Sequence, residues 1–197
     1  MNYKRANNIL LALIIAINLY LIAAPLLPSA LFWWQNRGGT RQTELRQKVA
    51  TSSDTKVNEP NQLIIPSMLL DKPIVEGPVS NQIMNLRKGV WRWPASSTPD
   101  KGGNTVFLGH RFTYYNPRGV FYYLDKVKVG QTIGVIWSKQ RYQYRVNDIK
   151  EVPPTATEIL KPTKDSRLTI FTCTPLWLPK HRLVVTAQLI SPTGDLQ

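Results

Sequence analysis

The stretch LTIFTCTPLWLPKHRLVV, Leu168 to Val185, decides how this chain folds. It opens on a run of β-formers, Leu168–Cys173, and closes on another that starts at Arg182. The intervening TPLWLPKH holds Pro175 and Pro179 and cannot continue a strand. The pattern is therefore two antiparallel neighbours joined by a loop, which brings Arg182 beside Cys173. Cys173 is the only cysteine in the chain. A free cysteine is ordinarily a small buried core residue, and an arginine ordinarily a surface group. A guanidinium held next to a thiol has another use: it favours the thiolate and pairs with a developing oxyanion.

Working outward, short apolar runs alternate with turn signals about every ten residues. Candidate strands are Gln62–Ile65, Met68–Val75, Thr105–His110, Gln131–Trp137, Tyr142–Val152, Arg167–Cys173 and Arg182–Ile190. Phe121–Leu124 reads as a short helical turn or one more strand. Pro78–Leu86 reads as a short helix ended by Gly89. Trp91, Trp93, Tyr114, Tyr115, Phe121, Tyr122 and Tyr123 supply bulk for a barrel interior or a groove. The expectation is a mostly-β domain that closes on itself over residues 61–197.

The N-terminal part differs. Ile9 to Trp34 carries no charged residue. About twenty apolar residues cross a bilayer as helix, and Trp33 and Trp34 sit where an interfacial belt would be. Ile9–Ala24 is the uninterrupted part, Pro25 and Pro28 bend or end it, and Asn18 is its one strongly polar residue. A cleaved signal peptide is the competing reading, but Ala24 precedes Pro25, and Ala30 has Pro28 two residues back. Residues 1–34 are therefore read as an uncleaved anchor, and 35–60, rich in Gln, Thr, Ser, Lys and Arg, as a stalk with some helix around Thr43–Val49. Lys4 and Arg5 flank one side of the span, and Arg37, Arg41, Arg46 and Lys48 the other. A plain count places the domain in the cytoplasm, yet large domains translocate largely regardless of charge, so orientation stays open on these grounds.

With 197 residues, 43% of them hydrophobic, the chain has room for one ordinary domain plus an appendage. One cysteine excludes an internal disulfide and a CxxC zinc site, and two histidines cannot replace it. Asp125, Asp148, Glu151 and Glu158 are scattered, so no calcium or other metal, and no cofactor, is expected. The net charge of +13 points to an anionic neighbour. Nucleic acid is one, but the basic residues are spread along the chain and a membrane segment argues against it.

In NTVFLGHRF, Asn104–Phe112, His110 also ends an apolar run, after Gly109, whose missing side chain permits close approach. A strand end feeding a loop is where a rigid scaffold places reactive groups. Thiol, imidazole and guanidinium together suffice for acyl transfer: thiolate attacks a carbonyl, arginine holds the oxyanion, and imidazolium protonates the leaving amine.

Thr169-Ile170-Phe171-Thr172-Cys173, followed by a loop and Arg182, resembles the signature of the sortases, membrane-anchored cysteine transpeptidases of bacterial surfaces. That signature is Thr-Leu-x-Thr-Cys, so Ile170 stands for Leu. GNTVFLGHR is similar to the strand leading to the family's catalytic histidine. LIIPSMLLDKPIVEG, LRKGVWRWP, FYYLDKVKVGQTI and RLVVTAQL match more loosely, and all lie in the family's order from Gln62 to Leu189. The resemblance implies an eight-stranded β-barrel with one or two short helices. It implies Cys173 as nucleophile, His110 as acid and base, and Arg182 as stabiliser of substrate and oxyanion, with Thr172 backing the cysteine and supporting the oxyanion site. The implied substrate is a secreted protein with an LPxTG-like signal, cut between Thr and Gly. The acceptor is an amine from peptidoglycan precursor or a pilin lysine. The barrel then lies outside the cell and residues 1–5 inside. Val152–Ser166, with Pro153, Pro154 and Pro162, corresponds to the loop over the family's substrate groove. His181, beside Arg182, is the competitor for the base. Two other readings stand beside this one: a transpeptidase acting on peptidoglycan cross-links, which generally carries histidine and cysteine in one short motif, and a non-catalytic tethered β-module that binds wall polymer.

Overall fold

The computed structural model describes residues 3–23, 32, 34, 37–50, 58–113, 118–176 and 178–190. Ala24, Pro25, Pro28, Ala30, Trp33, Tyr114 and Tyr115, singled out above, lie outside them. The chain forms two compact units, Met1–Arg41 and Gln42–Gln197.

In the first unit, helix α1 runs Tyr3–Ala23. Its stretch Tyr3–Ile22, 20 residues of mean hydropathy 1.7, is long and apolar enough to cross a membrane, about 30 Å at about 1.5 Å per residue. Asn18 does not break the apolar surface for want of a partner. Its Nδ2 donates to the Ile14 carbonyl one turn back, at 2.8 Å.

The second unit is a closed barrel of eight strands. They are β1 Gln62–Ile65, β2 Leu70–Val75, β3 Val90–Arg92, β4 Asn104–Leu108, β5 Thr132–Trp137, β6 Gln140–Val152, β7 Arg167–Thr174 and β8 His181–Leu189. Around the barrel the order is β1-β2-β3-β4-β7-β8-β6-β5, and β5 closes on β1. The β2–β3 and β4–β7 pairs are parallel, and the other six junctions antiparallel. Alternate residues fill the interior, as a two-residue period dictates. Phe107, Ile133, Tyr144, Leu168, Ile170, Leu183, Val185 and Ala187 belong to one buried cluster with Phe121 and Leu124.

Two local differences from the sequence reading have physical reasons. Met68–Val75 is not one strand: Pro66–Met68 forms a 3-10 turn, and Leu69 adopts the left-handed conformation (φ 54°) before β2 begins. The unanticipated β3 is three residues long, too short for any periodicity to show. Of the two readings of Phe121–Leu124, the helical turn holds: consecutive turns lead into a 3-10 turn at Leu124–Lys126.

The stretch read as a stalk carries helix α2, Thr40–Ala50. From Gln42 onward this segment belongs to the barrel unit. Leu45 and Val49, one helical turn apart, are buried with Ile64 and Ile136 on the outside of β1 and β5. Gly134 makes room for Val49, since a Cβ there would stand 2.8 Å from a Val49 methyl. Lys48 anchors the helix through Glu59 (2.6 Å) and Asp71 (3.1 Å).

Candidate active site

The sequence places three candidate residues at strand ends, and the register aligns them. In the antiparallel β7–β8 pair, Cys173 stands directly opposite Arg182. In the parallel β4–β7 pair, residues 63 apart are partners, from Asn104↔Arg167 to Leu108↔Phe171. His110 and Cys173 are also 63 apart (173 − 110), so the same register carried two residues past Leu108 brings His110 level with Cys173. Neighbouring strands lie about 4.8 Å apart, so Cys173 and Arg182 face each other on β7 and β8, and His110, two residues past the end of β4, continues that row.

Alternation sets the face. Leu168 and Ile170 point into the barrel, so the opposite parity, Phe171 and Cys173, points outward. On β8, Leu183 and Val185 are interior, which turns Arg182 and Val184 out. On β4, Phe107 is interior, and the same alternation carries His110 outward. Val152, Ala156 and Val184 form a small outer cluster with Ile159 and Phe171, so the connection after β6 covers the outer face just below the row. Asn104 pins that connection by donating to the carbonyls of Ile159 and Lys161, both at 3.0 Å.

The histidine segment is held to the cysteine strand by contacts that sequence did not reveal. The Thr172 hydroxyl, buried, donates to the Gly109 carbonyl at 2.8 Å. Its support is thus exerted on the backbone next to His110, and binding an oxyanion directly would require releasing that bond. Gly109 is needed for packing: a Cβ there would overlap a Val120 methyl and press on the Phe121 ring at 2.9 Å. Gly119 faces the backbone of His110 and Arg111 with the same intolerance. Phe121 N–H donates to the His110 carbonyl at 3.0 Å. Arg111 spans the two segments. Its Nη1 donates to Thr174 Oγ1 at 2.9 Å, and its Nη2 pairs with Asp125 at 3.3 Å. Arg111 follows His110 and Thr174 follows Cys173, so the Arg111–Thr174 bond ties the neighbours of the two candidate residues. Both contacts cross long sequence separations, and only the adjacency of each to a candidate residue could have marked them.

His110 and Cys173 line one cleft of about 1020 Å³. The other wall is the excursion between β2 and β3, which carries a 3-10 turn, Val79–Asn81, and helix α3, Gln82–Lys88. Trp91 Nε1 donates to the Gly77 carbonyl (3.0 Å), and Asn85 Nδ2 to that of Pro78 (3.1 Å), which fixes this excursion against β3. Cys173 is free and partly exposed. Burial pushes the His110 pKa below its usual value, and the nearby Arg87 guanidinium adds to the effect, so the neutral imidazole is favoured. Arg182 does not line the cleft as the side chains stand: its Nη1 donates to the His181 carbonyl at 3.3 Å. His181 is exposed, partners Thr174 and points, by alternation, away from the outer face that bears Cys173. Among the described residues no three of His, Cys, Asp and Glu gather as a metal site would require.

The comparisons with known proteins show the family. The family profile described as "Sortase domain" matches residues 63–190, 128 of the 197 (190 − 63 + 1). The chain belongs to the sortase family, a family of transpeptidases. Among curated proteins it is 27% identical to sortase SrtE1 of Streptomyces coelicolor over 184 residues, covering 80% of this chain and 51% of that one. The chain thus spans about half the length of that relative. Sortase D of Bacillus subtilis is 26% identical over 143 residues, 72% of this chain and 68% of the relative. Among solved structures, sortase C-1 of Actinomyces oris superposes with a TM-score of 0.59 at 29% identity, over 76% of this chain and 83% of that one.

Proposed function

We propose that this chain is a membrane-tethered cysteine transpeptidase that cuts an LPxTG-like signal between Thr and Gly and passes the acyl part to an amine. The observation that carries this reading is the level row His110–Cys173–Arg182, with Cys173 and His110 opening on one cleft. The depressed His110 suits a base. Neutral imidazole takes the thiol proton as Cys173 Sγ bonds to the scissile carbonyl carbon. A rotation of Arg182 about its side chain brings the guanidinium to the oxyanion. The intermediate collapses, the C–N bond breaks, and His110 returns its proton to the departing Gly amine. An acceptor amine then attacks the thioester, His110 accepts its proton, and the C–S bond breaks to restore the thiol. Thr172 and Arg111 hold the two reactive segments in register through this cycle. The acceptor is a peptidoglycan-precursor amine or a pilin lysine. Secreted substrates require α1 to anchor the barrel on the outer side of the cell membrane, with the first five residues inside.

The test is mass spectrometry of the full chain after incubation with a small library of signal pentapeptides. A thioester adduct on Cys173 is expected, with none in Cys173→Ala. His110→Ala and Arg182→Ala are expected to lose on the order of 10²–10⁴-fold in turnover, and His181→Ala to change it little. Wall-polymer binding without any adduct would make the chain a non-catalytic module, and normal turnover in Arg182→Ala would remove that residue from the mechanism.

A further inference from the structure

The cleft that holds His110 and Cys173 is lined by five cationic side chains, Lys72, Arg87, Lys88, Arg111 and Arg118. No Asp or Glu stands among its described lining residues. Arg111 is committed to Asp125 and Thr174. The side chains of Lys72, Arg87 and Lys88 are exposed and make no hydrogen bond or ion pair with a described residue. They come from two elements that meet. α3 ends at Lys88, and a Cβ on the following Gly89 would lie 3.8 Å from the carbonyl of Pro73, the neighbour of Lys72. The carbonyl end of α3 accounts for cations in its own last turn. It does not account for Lys72, which β2 adds to the same wall. Arg87 is near enough to His110 for its charge to be felt there. The cleft is also partly apolar, with Ile83, Leu86 and Leu176 along it. Low-dielectric walls focus the field of such a cluster into the cavity, and like charges left together favour any anion that enters.

We infer that Lys72, Arg87 and Lys88 form a carboxylate-binding subsite beside the reactive thiol, so that one of the two peptides the enzyme joins carries a negative charge where it crosses this wall. The inference rests on the transpeptidase reading for what enters the cleft. The carboxylate belongs either to an acidic residue of the sorting signal or to the acceptor amine.

Equilibrium binding separates the two sources. Fluorescent ligands are titrated into the full chain in detergent, carrying Cys173→Ala so that no bond is made or broken. One arm compares signal peptides with Glu or Gln at the variable position. The other compares amine acceptors ending in a free carboxylate with their amides. In at least one arm the acid form is expected to bind about tenfold tighter at low ionic strength, the gap narrowing as salt rises. The gap closes in the Lys72→Gln/Arg87→Gln/Lys88→Gln variant. The arm in which it opens names the source. Equal binding of acid and neutral forms in both arms overturns the subsite, and so does a gap that survives the triple substitution. Failure of the unsubstituted chain to form a thioester strikes the transpeptidase reading alone, because the binding comparison involves no chemistry.

Discussion

Replacing Thr172 by Val removes one hydroxyl and little else. In the native fold that hydroxyl, on a residue only 2% exposed, donates to the Gly109 carbonyl at 2.8 Å. The substitution deletes the bond and leaves a buried carbonyl without that donor, a loss of about 2 kcal/mol. For a domain of this size, that lowers Tm by roughly 4–8 °C. The same bond fixes the chain one residue before His110, and a displacement of about 1 Å in a reacting group can slow chemistry by about 10²-fold. Thr172→Val is therefore expected to lose both stability and thioester formation, read by thermal unfolding and by the single-turnover rate on a signal peptide. Thr172→Ser keeps the donor and drops a methyl. It is expected to acylate within a few-fold of the parent while losing about 1 kcal/mol of stability. A Val variant that acylates at the parental rate, or a Ser variant as slow as Val, would refute the clamp. A slow Val variant of unchanged Tm would instead point to a direct part for the hydroxyl at the oxyanion.

Arg111→Met is expected to slow acylation and to cost about 1–3 kcal/mol, because Asp125 and Thr174 lose their shared partner. Lys in its place restores stability better than rate, since a point charge cannot serve both groups; parental kcat/KM in the Met variant would refute the role. Activity that needs neutral His110 falls as pH drops through its pKa, which burial and then the Arg87 charge hold below that of an ordinary histidine. Arg87→Gln removes a repelling charge, eases protonation and moves that acid limb upward; a limb that stays put or moves down in a kcat/KM profile contradicts the assignment. Leu45→Ala, at a site 1% exposed, is expected to lower barrel stability by about 2–4 kcal/mol in chemical denaturation, and an unchanged midpoint would show that α2 adds nothing to the fold.

The site strands were the most legible part of the sequence. Pro175 and Pro179 forced a loop between two β-runs, and the hairpin this implies places Cys173 opposite Arg182. The distance of His110 from Cys173 was readable as a number, but its meaning was not. Only the parallel register of β4 on β7, with the same spacing, turns 63 residues into adjacency. Helix around Thr43–Val49 was legible, but its docking on the barrel was not: the surface of α2 is mostly polar, and two apolar side chains suffice where Gly134 opens a seat for one of them. β3 escaped because three residues carry no period, and its partners β2 and β4 lie on either side of long connections. The clamps through Thr172 and Arg111 escaped because hydrogen bonds between residues 63 apart leave no local trace. Proline, glycine and alternation speak for neighbours in the chain; closure of a barrel speaks for the rest.

On the proposed mechanism, the parallel seating of β4 on β7 also governs when the protein becomes reactive. During synthesis His110 is made long before Cys173, and β5 and β6 must be laid down before β7 can slot between β4 and β8. Non-local pairing of this kind comes late, after the entropy of closing long loops has been met. A nascent or truncated chain ending before residue 182 therefore carries a solitary thiol or none, and no assembled nucleophile. Proteolytic fragments should be inert for the same reason, since any cut that frees β4 from β7 separates imidazole from sulfur.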